Sequence, residues 1–156
     1  MKKIFIVCIL FSAIINLNAQ KLFKEIPSKK VNAEKVNYAE GFISEFLKKC
    51  ETKIYTTNYS EFKISNHLQT FFDKNNIEVC QNNERIYGRI TLQDINSVYN
   101  NKYANLYNPV ELYIFNVSTE KKKEIKYISI WMTQNEKIID GIWISHEKPL
   151  KKSKEN

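Results

Sequence analysis

Residues 125–145 read IKYISIWMTQNEKIIDGIWIS, two runs of β-branched and aromatic residues on either side of the polar Gln134, Asn135 and Glu136. In the first run Ile128, Ile130 and Met132 alternate with Tyr127, Ser129 and Trp131, and a period of two belongs to a strand. A connection this short joins the strands at 125–133 and 137–145 only as an antiparallel hairpin.

The same texture extends upstream to Gly88. Ile90 and Leu92 alternate with Arg89, Thr91 and Gln93 in a strand at 89–98, and Val110, Leu112 and Ile114 alternate with Glu111, Tyr113 and Phe115 in a strand at 108–119. Asn100 to Asn105 makes a longer loop, whereas Glu120 to Glu124 makes a tight one whose Lys121, Lys122 and Lys123 suit an exposed hairpin tip. Four strands in a meander follow. Before Gly88 the period is helical: Val36, Ala39, Ile43, Phe46, Leu47 and Cys50 form one stripe of a helix over about 31–53, with Ser28 or Asn32 as its N-cap. Gly41 weakens its middle by up to about 1 kcal/mol relative to Ala, so packing must hold it. Two short helices are expected next, one after Ser65 with Leu68, Phe71 and Phe72, and one over 76–87 with Ile77, Cys80 and Ile86. The fold class is α+β, with one long and two short N-terminal helices packed on a four-stranded antiparallel meander.

Length and composition set the frame around this core. A chain of 156 residues with 43% apolar and 13% aromatic content is one ordered domain. Lys2 and Lys3, an apolar run from Ile4 to Ile15 broken at Ser12, and Ala19 before Gln20 read as a cleaved secretory signal over residues 1–19. The run falls short of the roughly 20 apolar residues that span a bilayer, and no second run follows. Taking 19 from 156 leaves 137 residues, and the loss of two lysines takes the formal charge from +7 to +5. Residues 20–30 form a lead-in, 31–147 the domain, and 148–156, with Lys148, Lys151, Lys152 and Lys154, a basic polar tail. Only Arg85 and Arg89 carry a guanidinium, too few for nucleic-acid readout.

With Cys8 in the signal, Cys50 and Cys80 remain. In an oxidising compartment they form one bridge or stay as two buried thiols. The only other soft ligands, His67 and His146, have no metal spacing, so no metal site is expected. Three glycines leave no phosphate-cradling loop, and no cofactor is indicated. Asp140 and His146 share a strand face but lie about 20 Å apart along it, beyond hydrogen-bond reach. No catalytic residue is assigned.

The order of elements, with Phe42-Ile43-x-x-Phe46-Leu47, Tyr87-Gly88-Arg89-Ile90, Tyr127-Ile128-Ser129-Ile130-Trp131 and Ile138-Ile139-Asp140-Gly141-Ile142-Trp143-Ile144, resembles the nuclear transport factor two-like or cystatin-like superfamily. Within it the chain looks like the secreted bacterial domains of unknown function, over nearly all of residues 31–146. The resemblance implies a cone-shaped domain. Enzymes of that superfamily place an acid or a His–Asp pair between sheet and helices, and no such motif occurs here.

The last three strands are apolar or aromatic on both faces. Val110, Leu112 and Ile114 oppose Tyr113 and Phe115; Ile128, Ile130 and Met132 oppose Tyr127 and Trp131; Ile139 and Trp143 oppose Ile142 and Ile144. One face belongs to the first helix. The other needs the remaining helices, a second subunit or a ligand. Tyr113, Phe115, Tyr127, Trp131 and Trp143 are therefore either plain packing or a pocket or interaction face. The expected function is that of a secreted or periplasmic non-catalytic binding or accessory domain, its partner an envelope protein, a small apolar ligand or a second copy through the sheet. The alternatives are a hydrolase- or isomerase-type enzyme using a helix–sheet cavity, and an inhibitor module acting through the sheet face.

Overall fold

A computed structural model describes residues 23–101, 109–121 and 125–150. The signal read at 1–19, most of the 100–105 loop, the Lys122–Lys123 tip and the end of the tail lie outside the described residues. Strand β1 (Phe23–Glu25) leads through a 3-10 turn (Ser28–Lys30) to helix α1 (Ala33–Thr52) and helix α2 (Asn66–Tyr87). Strands β2 (Ile90–Asn101), β3 (Val110–Thr119), β4 (Tyr127–Thr133) and β5 (Ile139–Ser145) complete an antiparallel sheet in the order β1-β2-β3-β4-β5.

The architecture is α+β with two corrections. The sheet has five strands, because Phe23, Lys24 and Glu25 of the lead-in pair with Asn101, Asn100 and Tyr99 of β2. Three residues are too few to show a period. There are two long helices, because the two short helices expected after Ser65 are one continuous α2. The polar Asp73, Lys74 and Asn75 look like a gap in sequence, yet they cover less than a turn of helix and nothing in them breaks the backbone. Asn76 in that stretch is buried and its side-chain amide donates to the Tyr55 carbonyl at 3.4 Å.

Local capping explains where the helices start and stop. Asn32 caps α1 by accepting from the Lys35 amide, and Ser65 caps α2 by accepting from the Leu68 amide. Lys53 closes α1 in the left-handed conformation at φ 59°. Gly41, unfavourable in a helix by propensity, has a packing reason: a Cβ there would meet the Phe62 ring at 3.3 Å. The loop between the helices can therefore fold under α1, where Phe62 lies 5.1 Å from the Tyr38 ring and 5.5 Å from the Phe42 ring.

Both helices cover one sheet face. Ala39, Phe42, Ile43 and Phe46 of α1 and Leu68, Phe72 and Cys80 of α2 pack with Val98, Tyr113, Phe115, Ile128, Ile130, Met132 and Ile139 in one buried cluster. The opposite face holds Tyr99, Leu112 and Ile114 with Phe23, Tyr127 and Trp131, and it is covered from the C-terminus by Leu150. Leu150 is 3% exposed, its carbonyl accepts from the Tyr99 hydroxyl at 3.3 Å, and Lys148 Nζ sits 5.5 Å from the Tyr99 ring. The residues that follow β5 thus form a strap over the second face.

Irregularities in two strands alter the facing. In β2 the register shifts between Leu92 and Ile95 and again between Ile95 and Ser97, so Ile90, Leu92, Ile95 and Val98 all reach the helix-side core. In β5 Met132 pairs with Ile139 while Trp131 pairs with Gly141, leaving Asp140 as a bulge. This corrects the expectation that Ile139 and Trp143 share a face. Ile139 is fully buried under the helices, together with the partly buried Ile142 and Ile144, whereas Trp143 is 64% exposed.

Cys50 and Cys80 are joined in a disulfide, with their Cα atoms 5.0 Å apart. The bridge ties the last turns of α1 to the later half of α2. Closing a separation of 30 residues is worth about 3 to 4 kcal/mol in the chain-entropy account. The Cys50→Ala, Cys80→Ala double variant is expected to lose that amount in urea unfolding without a change of far-ultraviolet circular dichroism, and a loss below about 1 kcal/mol would rule out this contribution.

Candidate functional site

The five aromatic residues singled out in sequence do not converge. Tyr113 and Phe115, each 1% exposed, belong to the helix-side core. Tyr127 and Trp131 lie on the strap side, where the Trp131 and Phe23 rings meet edge to face at 5.3 Å. Trp143 stands at the sheet edge. The space between α1, α2 and the sheet is filled: Phe42, Phe46, Tyr59 and Phe72 stack within one another's reach at centroid distances of 5.0 to 6.3 Å.

Polar chemistry is concentrated at the two ends of α1. At its start Lys35 Nζ donates to Glu111 Oε2 at 2.8 Å and to the Gln134 carbonyl at 2.7 Å, and the Tyr113 hydroxyl donates to the same Glu111 oxygen at 2.6 Å. The Gln134 amide reaches Glu111 Oε1 at 3.4 Å. Glu111 is 6% exposed, and its burial is compensated because a cation and neutral donors all point at it. Three donors converge on the Glu111 carboxylate, and the cluster joins the helix to the hairpin of β4 and β5. Burial, and then the hydrogen bond to Glu111, push the Tyr113 phenol well above the usual tyrosine range.

At the other end the geometry is open. A cleft of about 200 Å³ is lined by Leu47, the Cys50–Cys80 bridge, Glu51, Asn83, Glu84, Gly88, Arg89, Ile90, Glu120 and Lys121. Its floor is apolar and its rim charged. Arg89 Nε lies 3.2 Å from Glu51 Oε1, Lys121 Nζ donates to the Glu84 carbonyl at 3.1 Å, and Glu120 Oε2 accepts from the Arg89 amide at 3.1 Å. Gly88, at φ 68°, makes the corner possible, since a Cβ there would meet Glu120 Oε2 at 2.9 Å and Lys121 Cγ at 3.0 Å. The ends of α1 and α2 both abut this cleft, and helix C-termini carry a partial negative charge. A second hollow, about 340 Å³, lies between the 3-10 turn, the start of α1 and β2, with Ile26, Val31, Val36 and Ile95 in its wall and Asn37, Asn96 and Ser97 among its polar groups.

Sequence reasoning did not find the cleft. Its residues come from three stretches, 47–51, 80–90 and 120–121, and the sequence marks several of them for other reasons: Leu47 and Cys50 in the helix stripe, Cys50 and Cys80 as a cysteine pair, Glu120 and Lys121 at a hairpin tip. The one local signal was Gly88 itself, a glycine where a helix gives way to a strand. Of the histidines, His146 is largely exposed with its Nε2 3.9 Å from Glu147 Oε1, and His67 is exposed on the first turn of α2. Among the described residues no three His, Cys, Asp or Glu side chains gather as a metal site would require, and no helix is long and apolar enough to cross a membrane. No protein-family model, curated protein or solved structure matches the chain.

Two buried tyrosines give opposite expectations. The Tyr59 hydroxyl is buried with no hydrogen-bond partner among the described residues, and burial, with Glu45 nearby, holds its phenol far above the usual range. At neutral pH Tyr59→Phe should be neutral or slightly stabilising, while Tyr113→Phe, which strips Glu111 of a donor, should cost about 1 to 3 kcal/mol. Both phenols have folded-state pKa values above that of an unfolded tyrosine, so the unfolded chain sheds these protons first. Stability from these groups is intact below about pH 10 and falls as pH rises beyond it, by up to about 1.4 kcal/mol per tyrosine per pH unit. Denaturant midpoints measured across that range should show a shallower alkaline loss in each Phe variant; unchanged slopes would rule out the assignment.

Proposed function

We propose that the chain is a non-catalytic binding domain that works outside the cytoplasm, and that its ligand site is the cleft at the disulfide end of α1 and α2. The observation that carries this reading is the cleft's make-up, an apolar floor under a rim of fixed charges with no acid–base pair aimed at a common point. A volume of about 200 Å³ is below the roughly 300–1,000 Å³ of sites for drug-sized molecules. It suits one side chain or one small head group. Three carboxylates, Glu51, Glu84 and Glu120, stand against two lining cations, Arg89 and Lys121; both cations have oxygen partners, and Glu84 also faces Lys53 at 3.8 Å. Together with the two helix C-termini this favours a positively charged group with an apolar stem, such as a lysine or arginine side chain of an envelope protein.

The location outside the cytoplasm is supported by the leader-like pattern of residues 1–19 and by the Cys50–Cys80 bridge, since structural disulfides persist in oxidising compartments. Helices preceding an antiparallel sheet and packing on one of its faces support the nuclear transport factor two-like reading. The superfamily's usual chamber between helices and sheet is taken up here by Phe42, Phe46, Phe72, Tyr113 and Phe115, which speaks against an enzyme acting there.

Hexylamine and hexanoate share a stem and differ in charge, and so test the ligand class directly. Hexylamine is expected to shift the amide resonances of Gly88, Arg89 and Glu120 saturably, and Glu51→Gln with Glu84→Gln to weaken it by about tenfold, as loss of charge-assisted contacts predicts. A stronger response to hexanoate, or shifts confined to the hollow near Val36, would overturn the assignment.

A further inference from the structure

The two edges of the sheet are finished differently. At one, β1 is only three residues long. At the other, β5 is bridged at its first residue alone: the Ile139 amide donates to the Lys63 carbonyl at 2.8 Å and the Ile139 carbonyl accepts from the Ser65 amide at 2.9 Å. From Asp140 to Ser145 no described segment pairs with the outer side of the strand. A bulge and a carboxylate guard its start at Asp140; from Gly141 to Ser145 there is no proline and no charged residue, and the run is rich in the β-branched and aromatic residues that pair readily. Beside it Phe71 and Trp143, 41% and 64% exposed, border a shallow hollow of about 150 Å³ with Val79, Ile142 and Ile144.

We propose that this edge is the interface with a second copy of the chain, β5 pairing antiparallel with β5 about a two-fold axis through Trp143, so that two five-stranded sheets become one. The occupant is a second copy because the strand is complementary to itself in one register. With Trp143 on the axis, Ile142 faces Ile144 and Gly141 faces Ser145, and beyond these paired positions the bulged Asp140 comes opposite His146, which directly follows the strand. An acid without a partner among the described residues thereby meets an imidazole that is 73% exposed. Moving the axis to Ile142 would set Asp140 against Ile144, and moving it to Ile144 would set Ile142 against His146; each opposes a polar group to an apolar one. In the favoured register Ile142 and Ile144, which pack under the helices, extend the helix-side apolar layer across the axis, and Phe71 of each copy flanks the joint. Directly opposed residues in an antiparallel pair project to the same face, which brings the two Trp143 rings together on the strap side.

The register can be tested with one engineered thiol. Opposed Cα atoms in such a pair lie about 4.5 to 5.5 Å apart, within the span a disulfide accepts. In the full chain carrying Cys8→Ser, with Cys50 and Cys80 already bridged, Trp143→Cys is expected to cross-link to a dimer under mild oxidation. Ile77→Cys, 53% exposed on α2, is the control and should remain monomeric. Sedimentation equilibrium between about 1 and 100 μM should show self-association that Trp143→Asp weakens by about tenfold or more, with circular dichroism unchanged because Trp143 is not in the core. A chain monomeric throughout that range, or cross-linking of Ile77→Cys as fast as Trp143→Cys, would overturn the proposal; the first result would leave the edge to a foreign extended peptide.

Discussion

Leu112 and Ile114 on one side of β3, and Tyr113 and Phe115 on the other, are each 1% exposed or less. A sheet apolar on both faces has to be covered twice, and this constraint orders the rest of the molecule. Two helices of 20 and 22 residues suffice for one face only if they lie side by side, which their tie at Cys50–Cys80 enforces. Among the described residues no helix is left to cover the second face. It is covered by the short run from His146 to Leu150, and the placement of that single leucine over Tyr99, Leu112 and Ile114 makes this run part of the fold.

Helix α1 is pinned at both ends by chemistry that differs in kind. Near its start a lysine ammonium and a phenol converge on the buried carboxylate of Glu111 and offset the cost of its burial. Near its end a covalent bridge does the same task without directional hydrogen bonds, so the surrounding polar groups are not all consumed in holding the helix. Glu51, Glu84 and Glu120 stand at the rim of the cleft, facing Arg89 Nε, Lys53 Nζ and the Arg89 amide. A hollow lies at each end of α1, about 340 Å³ at its start and about 200 Å³ beside the disulfide, and of these two only the second is lined by charges of both signs.

Much of this architecture was legible in sequence where one local pattern had a single physical reading. The stripe from Val36 to Cys50, the alternation in β3 and β4, and the short connection at 134–136 each required their element. The misreadings arose where a short segment depends on a distant partner. Phe23–Glu25 is a strand because Tyr99–Asn101 offers an edge, and no property of three residues announces that. Asp73 to Asn75 remain helical because Leu68, Phe72, Asn76 and Cys80 already form one continuous buried stripe, with the polar residues turned outward. The bulge at Asp140 reversed the facing of Ile139 relative to Trp143; a period-two argument fails at an inserted residue, which only the partner strand reveals. The cleft was invisible for the same reason, being assembled from the end of α1, the junction of α2 with β2 and the turn after β3, whose meeting is a tertiary fact.

The distribution of aromatic residues follows from these constraints and separates structural from functional surface. Phe42, Phe46, Phe72, Tyr113 and Phe115 fill the interval between helices and sheet, and a side chain that fills a core is not available to a ligand. Tyr99, Tyr127 and Trp131 are held beneath or beside the strap. Trp143 is left, a large apolar residue on the sheet edge with most of its surface in water. Neither covering device reaches it, because the helices lie over the face and the strap crosses toward β2. Among the described residues no segment covers it, and it sits on the strand edge that runs on from the bulge at Asp140. The charged cleft and the apolar edge are thus separate surfaces, set by the two ways this fold runs out of its own covering material.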